Sequence, residues 1–175
     1  MTEKPKIWGI GPGRTATRSL CKALEGLGYE PIHNPISLRA AEDADSAVEG
    51  ACLYGYRYLY HRYPNSKFIL TTRDLFTWIE SCHRAFEKWP LKRLEAEPEY
   101  YAAAIRNRLA RFGCTSFDRK VLTEHYFRHQ AEITTFFADK PESLLVVDLT
   151  RSHSWDPICS FLEIQTPSID FPHEY

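Results

Sequence analysis

Apolar residues recur along this chain in two periods, and the alternation between them outlines a fold. Residues 6–10 form a short apolar run closed by Gly11-Pro12-Gly13, where glycine and proline end a strand. Over 19–27 the apolar positions Leu20, Ala23, Leu24 and Leu27 return at helical spacing, and Gly28 stops the helix. Strand, glycine-rich turn and helix together open an α/β unit. The same reading gives short strands at 30–33 and 46–49, a helix over 53–63 ended by Pro64, and the clearest strand at 67–72. Helices over 75–86, 97–112 and 119–137 follow, then a buried-type strand at 144–147 and a last short helix at 156–162. Strands alternating with helices predict a three-layer α/β/α fold with a central parallel sheet covered on both faces. No repeat or low-complexity linker divides the 175 residues, so a single domain over 1–175 is expected.

Composition changes this picture little, but it sets where charge must come from. The formal net charge of -1 offers no general attraction to nucleic acid or to an anionic membrane. Any anion site must be built from locally placed arginines. The cysteines, Cys21, Cys52, Cys82, Cys114 and Cys159, are widely spaced with no C-x-x-C pair, which argues against a disulfide framework or a zinc site. Residues 1–6 are short and polar, and no apolar run reaches the length of a membrane span, so a cytoplasmic location is expected.

Two segments carry chemistry. The turn Gly11-Pro12-Gly13-Arg14-Thr15-Ala16-Thr17-Arg18-Ser19 has small residues that let backbone approach phosphate oxygens. Thr15, Thr17 and Ser19 add hydroxyl donors and Arg14 a fixed positive charge. A nucleoside-triphosphatase loop needs a Gly-Lys pair, and none occurs. A dinucleotide loop is harder to dismiss, since Gly11-x-Gly13-x-x-Ala16 matches G-x-G-x-x-A and Glu30 stands near where a ribose-binding acid is expected. However, 175 residues barely suffice for a full dinucleotide fold, and so short a match is weak alone. The second segment is 66–74, where Arg73 stands at the end of a buried strand. Ser81 follows two turns into the next helix, placed to share one phosphate with Arg73.

Together these segments resemble the sulfotransferase superfamily, particularly compact bacterial-type members with a Gly-x-Gly-Arg-Thr-x-Thr-x-Ser-Leu loop. The resemblance extends through Leu27-Gly28-Tyr29, Tyr63-Pro64-Asn65-Ser66-Lys67, Thr72-Arg73-Asp74 and the segments around Trp155 and Phe171-Pro172-His173. It implies the nucleoside-triphosphatase-like superfold and the co-substrate 3′-phosphoadenosine 5′-phosphosulfate, with no metal. Residues 11–19 would hold the 5′-phosphosulfate, Arg73 and Ser81 the 3′-phosphate, and a small molecule would accept the sulfuryl group. Arg14 stands where many relatives carry lysine and would face the charge developing on the leaving side; Arg18 is a further phosphate contact or an outward, solvated side chain.

The acceptor needs a base. The resemblance points to Glu49, at the end of the third strand, with His33 at the end of the second as the reserve. A carboxylate shielded beside an apolar acceptor would have a raised pKa and serve better. Asp45 reads as a turn residue and Asp74 as a helix cap. Trp78, Phe86, Trp89, Tyr100 and Tyr101 suggest an aromatic wall for the acceptor, and His125 and His129 read as an exposed helical face rather than a metal pair. Tyr54, Tyr56, Tyr58 and Tyr60 read as packing against the sheet. Two other functions stay open: a nicotinamide or flavin dinucleotide enzyme on the same turn, and a non-catalytic nucleotide-binding module. Ala16 in place of a usual glycine and a chain that stops soon after His173 keep the latter in view.

Overall fold

The computed structural model describes residues 4–91 and 98–174. Glu97, at the start of one expected helix, and residues 1–3 of the polar N-terminal stretch lie outside the described residues. Five strands form one parallel sheet: β1 Ile7–Gly9, β2 Pro31–His33, β3 Ser46–Val48, β4 Lys67–Thr71 and β5 Leu144–Val147, in the order β2-β3-β1-β4-β5. The expected helices are present as α1 Thr17–Gly26, α3 Cys52–Arg62, α4 Leu75–Lys88, α5 Pro98–Phe112, α6 Arg119–Phe136 and α8 Asp156–Leu162. Two short helices lay below the periodic signal: α2 Leu38–Glu42 and α7 Leu149–Ser152. Each is too short to show a repeating apolar stripe, and each is started by a side-chain cap, Ser37 and Asp148.

Successive strand residues point to opposite faces, and the core divides accordingly. Ile7, Val48 and Ile69 pack with Leu20 and Leu24 of α1 and Ile158 and Leu162 of α8. Trp8, Ala47, Phe68 and Leu70 face the other way, onto Tyr56 and Leu59 of α3 and Ile133 and Phe137 of α6. The inner strands β3, β1 and β4 are thus buried on both sides, as parallel sheets require, whereas β5, expected as a buried-type strand, lies at the sheet edge with Val146 exposed. The tyrosines of α3 split by face: Tyr56 is buried and Tyr60 packs on Phe68, while Tyr54 and Tyr58 are exposed.

Strand order bears on the dinucleotide reading. In a dinucleotide-binding sheet the second strand lies beside the first. Here β3 takes that place and β2 is at the edge. Glu30 precedes β2 and its N–H bonds to Asp45 at the opposite end of the sheet from the glycine turn, so it does not reach a ribose there. The chain leaves β1 through α1 toward β2 and leaves β4 in the other direction toward β5. The crevice beyond the carboxyl ends of β1 and β4 is therefore the switch point where open α/β sheets bind ligands.

Candidate active site

A cleft of about 680 Å³ opens at that switch point, within the range of small-ligand pockets. Among the described residues, Arg14, Arg18, Arg73, Arg84, Arg108 and Arg111 line it together with two carboxylates, Glu49 and Glu174. A chain of net charge -1 has thus gathered a strongly positive field in one place.

The glycine turn meets β4 closely. A Cβ on Gly11 would stand 2.6 Å from the Thr71 carbonyl oxygen, and one on Gly13 would stand 2.6 Å from Arg111 Nη2 and 2.7 Å from Glu49 Oε1. These two glycines make room for protein neighbours, a use the composition of the turn did not distinguish from phosphate approach. Arg14 and Ala16 both have positive φ, 74° and 63°. The Ala16 backbone therefore adopts the left-handed conformation that glycine meets at no steric cost. No side chain caps α1 at Ala16, and Ala16, Thr17, Arg18 and Ser19 at the helix start line the cleft, where the end of a helix favours an anion.

The expectation of three hydroxyls aimed at an anion is corrected for Thr15 and Thr17, whose hydroxyls are donated within the protein. Thr15 is wholly buried; its hydroxyl donates to the Pro12 carbonyl at 2.6 Å and lies 2.7 Å from the Thr71 hydroxyl. That hydroxyl braces the turn from within. The Thr17 hydroxyl donates to Glu49 Oε2 at 2.6 Å, and Ser19 Oγ accepts the Glu174 N–H at 3.0 Å.

Arg14, Ser81 and Arg73 converge at one end of the cleft. Arg14 Nε donates to Ser81 Oγ at 3.0 Å, and Arg73 Nη1 donates to the Arg14 carbonyl at 3.2 Å. Arg73 Nε also donates to Thr77 Oγ1 at 3.2 Å, while Asp74 caps α4 through the Thr77 N–H. Burial pulls the Arg14 guanidinium below its ordinary value, and nearby Arg111 and Arg73 add to the effect. Among the described residues no carboxylate forms an ion pair with Arg14. Such a charge gains most from an incoming anion.

At the other end lies a sealed carboxylate. Glu49 follows β3 in the left-handed conformation, φ 71°, and is 1% exposed. Its Oε1 meets Arg111 Nε of α5 as an ion pair whose N–H is not aligned for a hydrogen bond. Its Oε2 takes the Thr17 hydroxyl and lies 3.2 Å from His33 Nε2, which is also 3.3 Å from Thr17 Oγ1. The expected upward shift of this carboxyl is overturned. Burial alone would raise it, but Arg111, His33 and Thr17 outweigh burial and hold it below 4.5. Arg111 went unnoticed in the sequence. The signal was faint: Arg108 and Arg111 stand three apart on α5, one basic strip of a helix face.

The aromatic wall is partly redrawn. Phe86, Trp89 and Phe112 line the cleft, Trp78 is fully buried behind it, and Tyr100 is exposed elsewhere. His125 and His129 are buried, against the expectation of an exposed face. Their Nε2 atoms bond the carbonyls of Ala110 at 3.0 Å and Ile10 at 2.8 Å. Among the described residues no group of three metal-ligating side chains gathers around them or elsewhere, and no helix is long and apolar enough to cross a membrane.

A five-stranded parallel sheet of this order, P-loop-like and with a positively charged cleft at its switch point, is consistent with a sulfotransferase fold, and the comparison with known families agrees. A sulfotransferase domain model matches residues 37–175, and the chain belongs to that family. The match takes in Glu49, Arg73, Ser81 and Arg111 but begins after the glycine turn. The chain is also similar to "Ava biosynthesis cluster protein M" of Aspergillus versicolor, 24% identical over 207 residues, covering 96% of this chain and 80% of that protein. The activity is of the sulfotransferase type, and a family of this kind implies a small-molecule acceptor.

Proposed function

We propose that the chain transfers a sulfuryl group from 3′-phosphoadenosine 5′-phosphosulfate to a hydroxyl or amine of a small-molecule acceptor. The observation that carries this reading is the convergence of Arg14, Ser81 and Arg73 beside the uncapped start of α1. Two anion-holding segments side by side suit a nucleotide with phosphates at both ends of its ribose. Arg73 and Ser81 would hold the 3′-phosphate. The turn of residues 11–19, through its amides other than that of Pro12, and the Arg14 side chain would hold the 5′-phosphosulfate, with Arg18 lining the cleft. The relative's name places that protein in a biosynthesis cluster, which favours a small organic acceptor here too.

The reaction breaks the bond from sulfur to the donor's phosphate oxygen as the acceptor's oxygen or nitrogen bonds to sulfur. Arg14 stabilises the charge left on the donor phosphate without giving up a proton, since arginine stays charged. We assign the acceptor's proton to His33. Glu49 is sealed and paired, so it takes the place of an orienting partner. His33 Nε2 lies against Glu49 Oε2 and Thr17 Oγ1, which would leave Nδ1 as the ring atom that takes the proton. The His33 side chain is 29% exposed and lines the cleft.

Calorimetric titration of adenosine 3′,5′-bisphosphate tests the donor assignment, with NAD and ATP as controls. Only the bisphosphate should bind well, and Arg73→Ala should weaken it by about ten-fold or more, the scale of one charge-assisted contact. Binding of NAD without the bisphosphate would overturn the reading. Tight bisphosphate binding with no turnover on any acceptor would leave a binding module in its place.

A further inference from the structure

Three buried side chains of α4 and α6 grip the main chain of the two anion-holding segments. Trp78 Nε1 donates to the Gly13 carbonyl at 2.8 Å, and His129 Nε2 bonds the Ile10 carbonyl at 2.8 Å. Tyr126 grips Arg73 twice: its hydroxyl accepts the Arg73 N–H at 2.9 Å and donates to the Arg73 carbonyl. Trp78 and Tyr126 also touch each other, with ring centroids 4.6 Å apart. Tyr126 is 3% exposed and Trp78 wholly buried, so neither reaches a ligand in the cleft.

The geometry of the peptide bond gives these contacts a consequence. In a trans peptide the carbonyl of one residue and the N–H of the next point in opposite directions. Holding the Gly13 carbonyl toward α4 therefore turns the Arg14 N–H the other way. Arg73 has just left β4, whose last ladder bond in this region is from the Thr72 N–H to the Val147 carbonyl at 2.8 Å. Beyond it both main-chain groups of Arg73 lack a strand partner, and one phenol satisfies them. Burial pushes that phenol up, so it keeps the proton it donates.

We propose that Tyr126 is a positioning residue that presets Arg73 for the 3′-phosphate, coupled through its ring contact with Trp78 to the turn that receives the 5′-phosphosulfate. This rests on the donor reading above. Without the clasp, both main-chain groups of Arg73 lose their partner, leaving its side-chain bonds to Arg14 and Thr77 to hold it. The ligand must then supply more of the ordering, at a cost in affinity. The cost should fall on ligands that use Arg73.

The experiment measures binding of adenosine 3′,5′-bisphosphate and of adenosine 5′-phosphosulfate, which lacks the 3′-phosphate, to wild type, Tyr126→Phe, Arg73→Ala and the double variant. Tyr126→Phe keeps the ring and removes only the hydroxyl. It should weaken the bisphosphate by about ten-fold and the phosphosulfate by less than about two-fold, with no further loss when Arg73 is already alanine. Equal weakening of both ligands, or of neither, overturns the positioning role while leaving the donor reading intact. A wild-type protein that does not bind the bisphosphate overturns the donor reading and this inference with it. Amide exchange in the wild type supplies a check that does not depend on the variant folding. The Arg73 N–H should already be protected without ligand, and an amide protected only on binding would overturn the presetting.

Discussion

Arg111 of α5 and Glu49 at the end of β3 form an ion pair across the floor of the cleft, with the carboxylate buried and the guanidinium a quarter exposed. The pair is what keeps a sealed carboxylate ionised. Replacing Arg111 with glutamine leaves that charge without its main compensation. A loss of about 2–4 kcal/mol is expected, below the full cost of breaking a wholly buried pair because Arg111 reaches the cleft. Thermal unfolding should then fall by about 5–15 °C. The pH dependence distinguishes this from lost packing. In the wild type the lowered Glu49 contributes stability above its unfolded value near 4.5, and that contribution is lost as pH falls through the native value. In Arg111→Gln burial dominates and the native value rises, so the penalty should shrink as pH falls. A penalty constant with pH would show that the ion pair is not its source.

Gly13→Ala should reproduce part of this phenotype from the other side of the cleft. The added Cβ would meet the Arg111 guanidinium and Glu49 Oε1 well inside contact distance, and the backbone on which it sits is held by Trp78. The guanidinium is the group with room to move, so the pair should open. Gly13→Ala is expected to cost about 1–3 kcal/mol, the range of overpacking, and considerably less in an Arg111→Gln background. Additive losses in the double variant, read by denaturant unfolding, would refute a shared mechanism.

Much of the fold was legible because it is written locally. The run before Gly11-Pro12-Gly13, the spaced Leu20, Ala23, Leu24 and Leu27, and the apolar stretch 67–72 each specify an element without reference to the rest of the chain. Strand order was not legible, because nothing in β2 or β3 alone says which of them pairs with β1. The site divides in the same way. Arg14 and Arg73 follow strand ends and Ser81 lies two turns into the helix after Arg73, so position along the chain implies position in the cleft. Arg111 does not: it sits in the last turn of α5 and acquires its role from helix packing. Thr15 shows the converse, a hydroxyl in the right turn that points inward, to the Pro12 carbonyl and the β4 residue Thr71. His125 and His129 were misplaced because a polar pair four apart on a helix is ordinarily solvated, and the carbonyls that bury them, Ala110 and Ile10, come from other elements.

Those two histidines predict an acid-sensitive fold. Burial lowers both below 6.5, with the carbonyl bonds opposing it. A histidine held neutral in the native state contributes stability that is complete above its unfolded value and is lost as pH falls through the native one. The unfolding midpoint should therefore begin to drop as pH goes below about 6.5, before carboxylate titration sets in. His129→Gln, which retains an N–H donor for the Ile10 carbonyl, should flatten that first decline. A midpoint unchanged between pH 7 and 5 in the wild type would show that neither ring is held neutral.

The assignment of His33 rather than Glu49 as the acceptor's base reverses the order in which the sequence ranks them, and two variants separate the readings. His33→Ala removes a partly exposed ring at the cleft and should lower kcat by about a hundred-fold or more while leaving bisphosphate affinity within about two-fold. Added imidazole should restore part of the lost turnover by occupying the vacated space. Glu49→Gln should also lower kcat, because the ring loses its orienting carboxylate, but small bases should not rescue it. It should in addition unsettle Thr17 and Arg111, whose partner it removes, and so lower the unfolding midpoint. Rescue by acetate or formate of Glu49→Ala, without imidazole rescue of His33→Ala, would return the proton to Glu49. It would also mean that Arg111 swings away from the carboxylate during turnover.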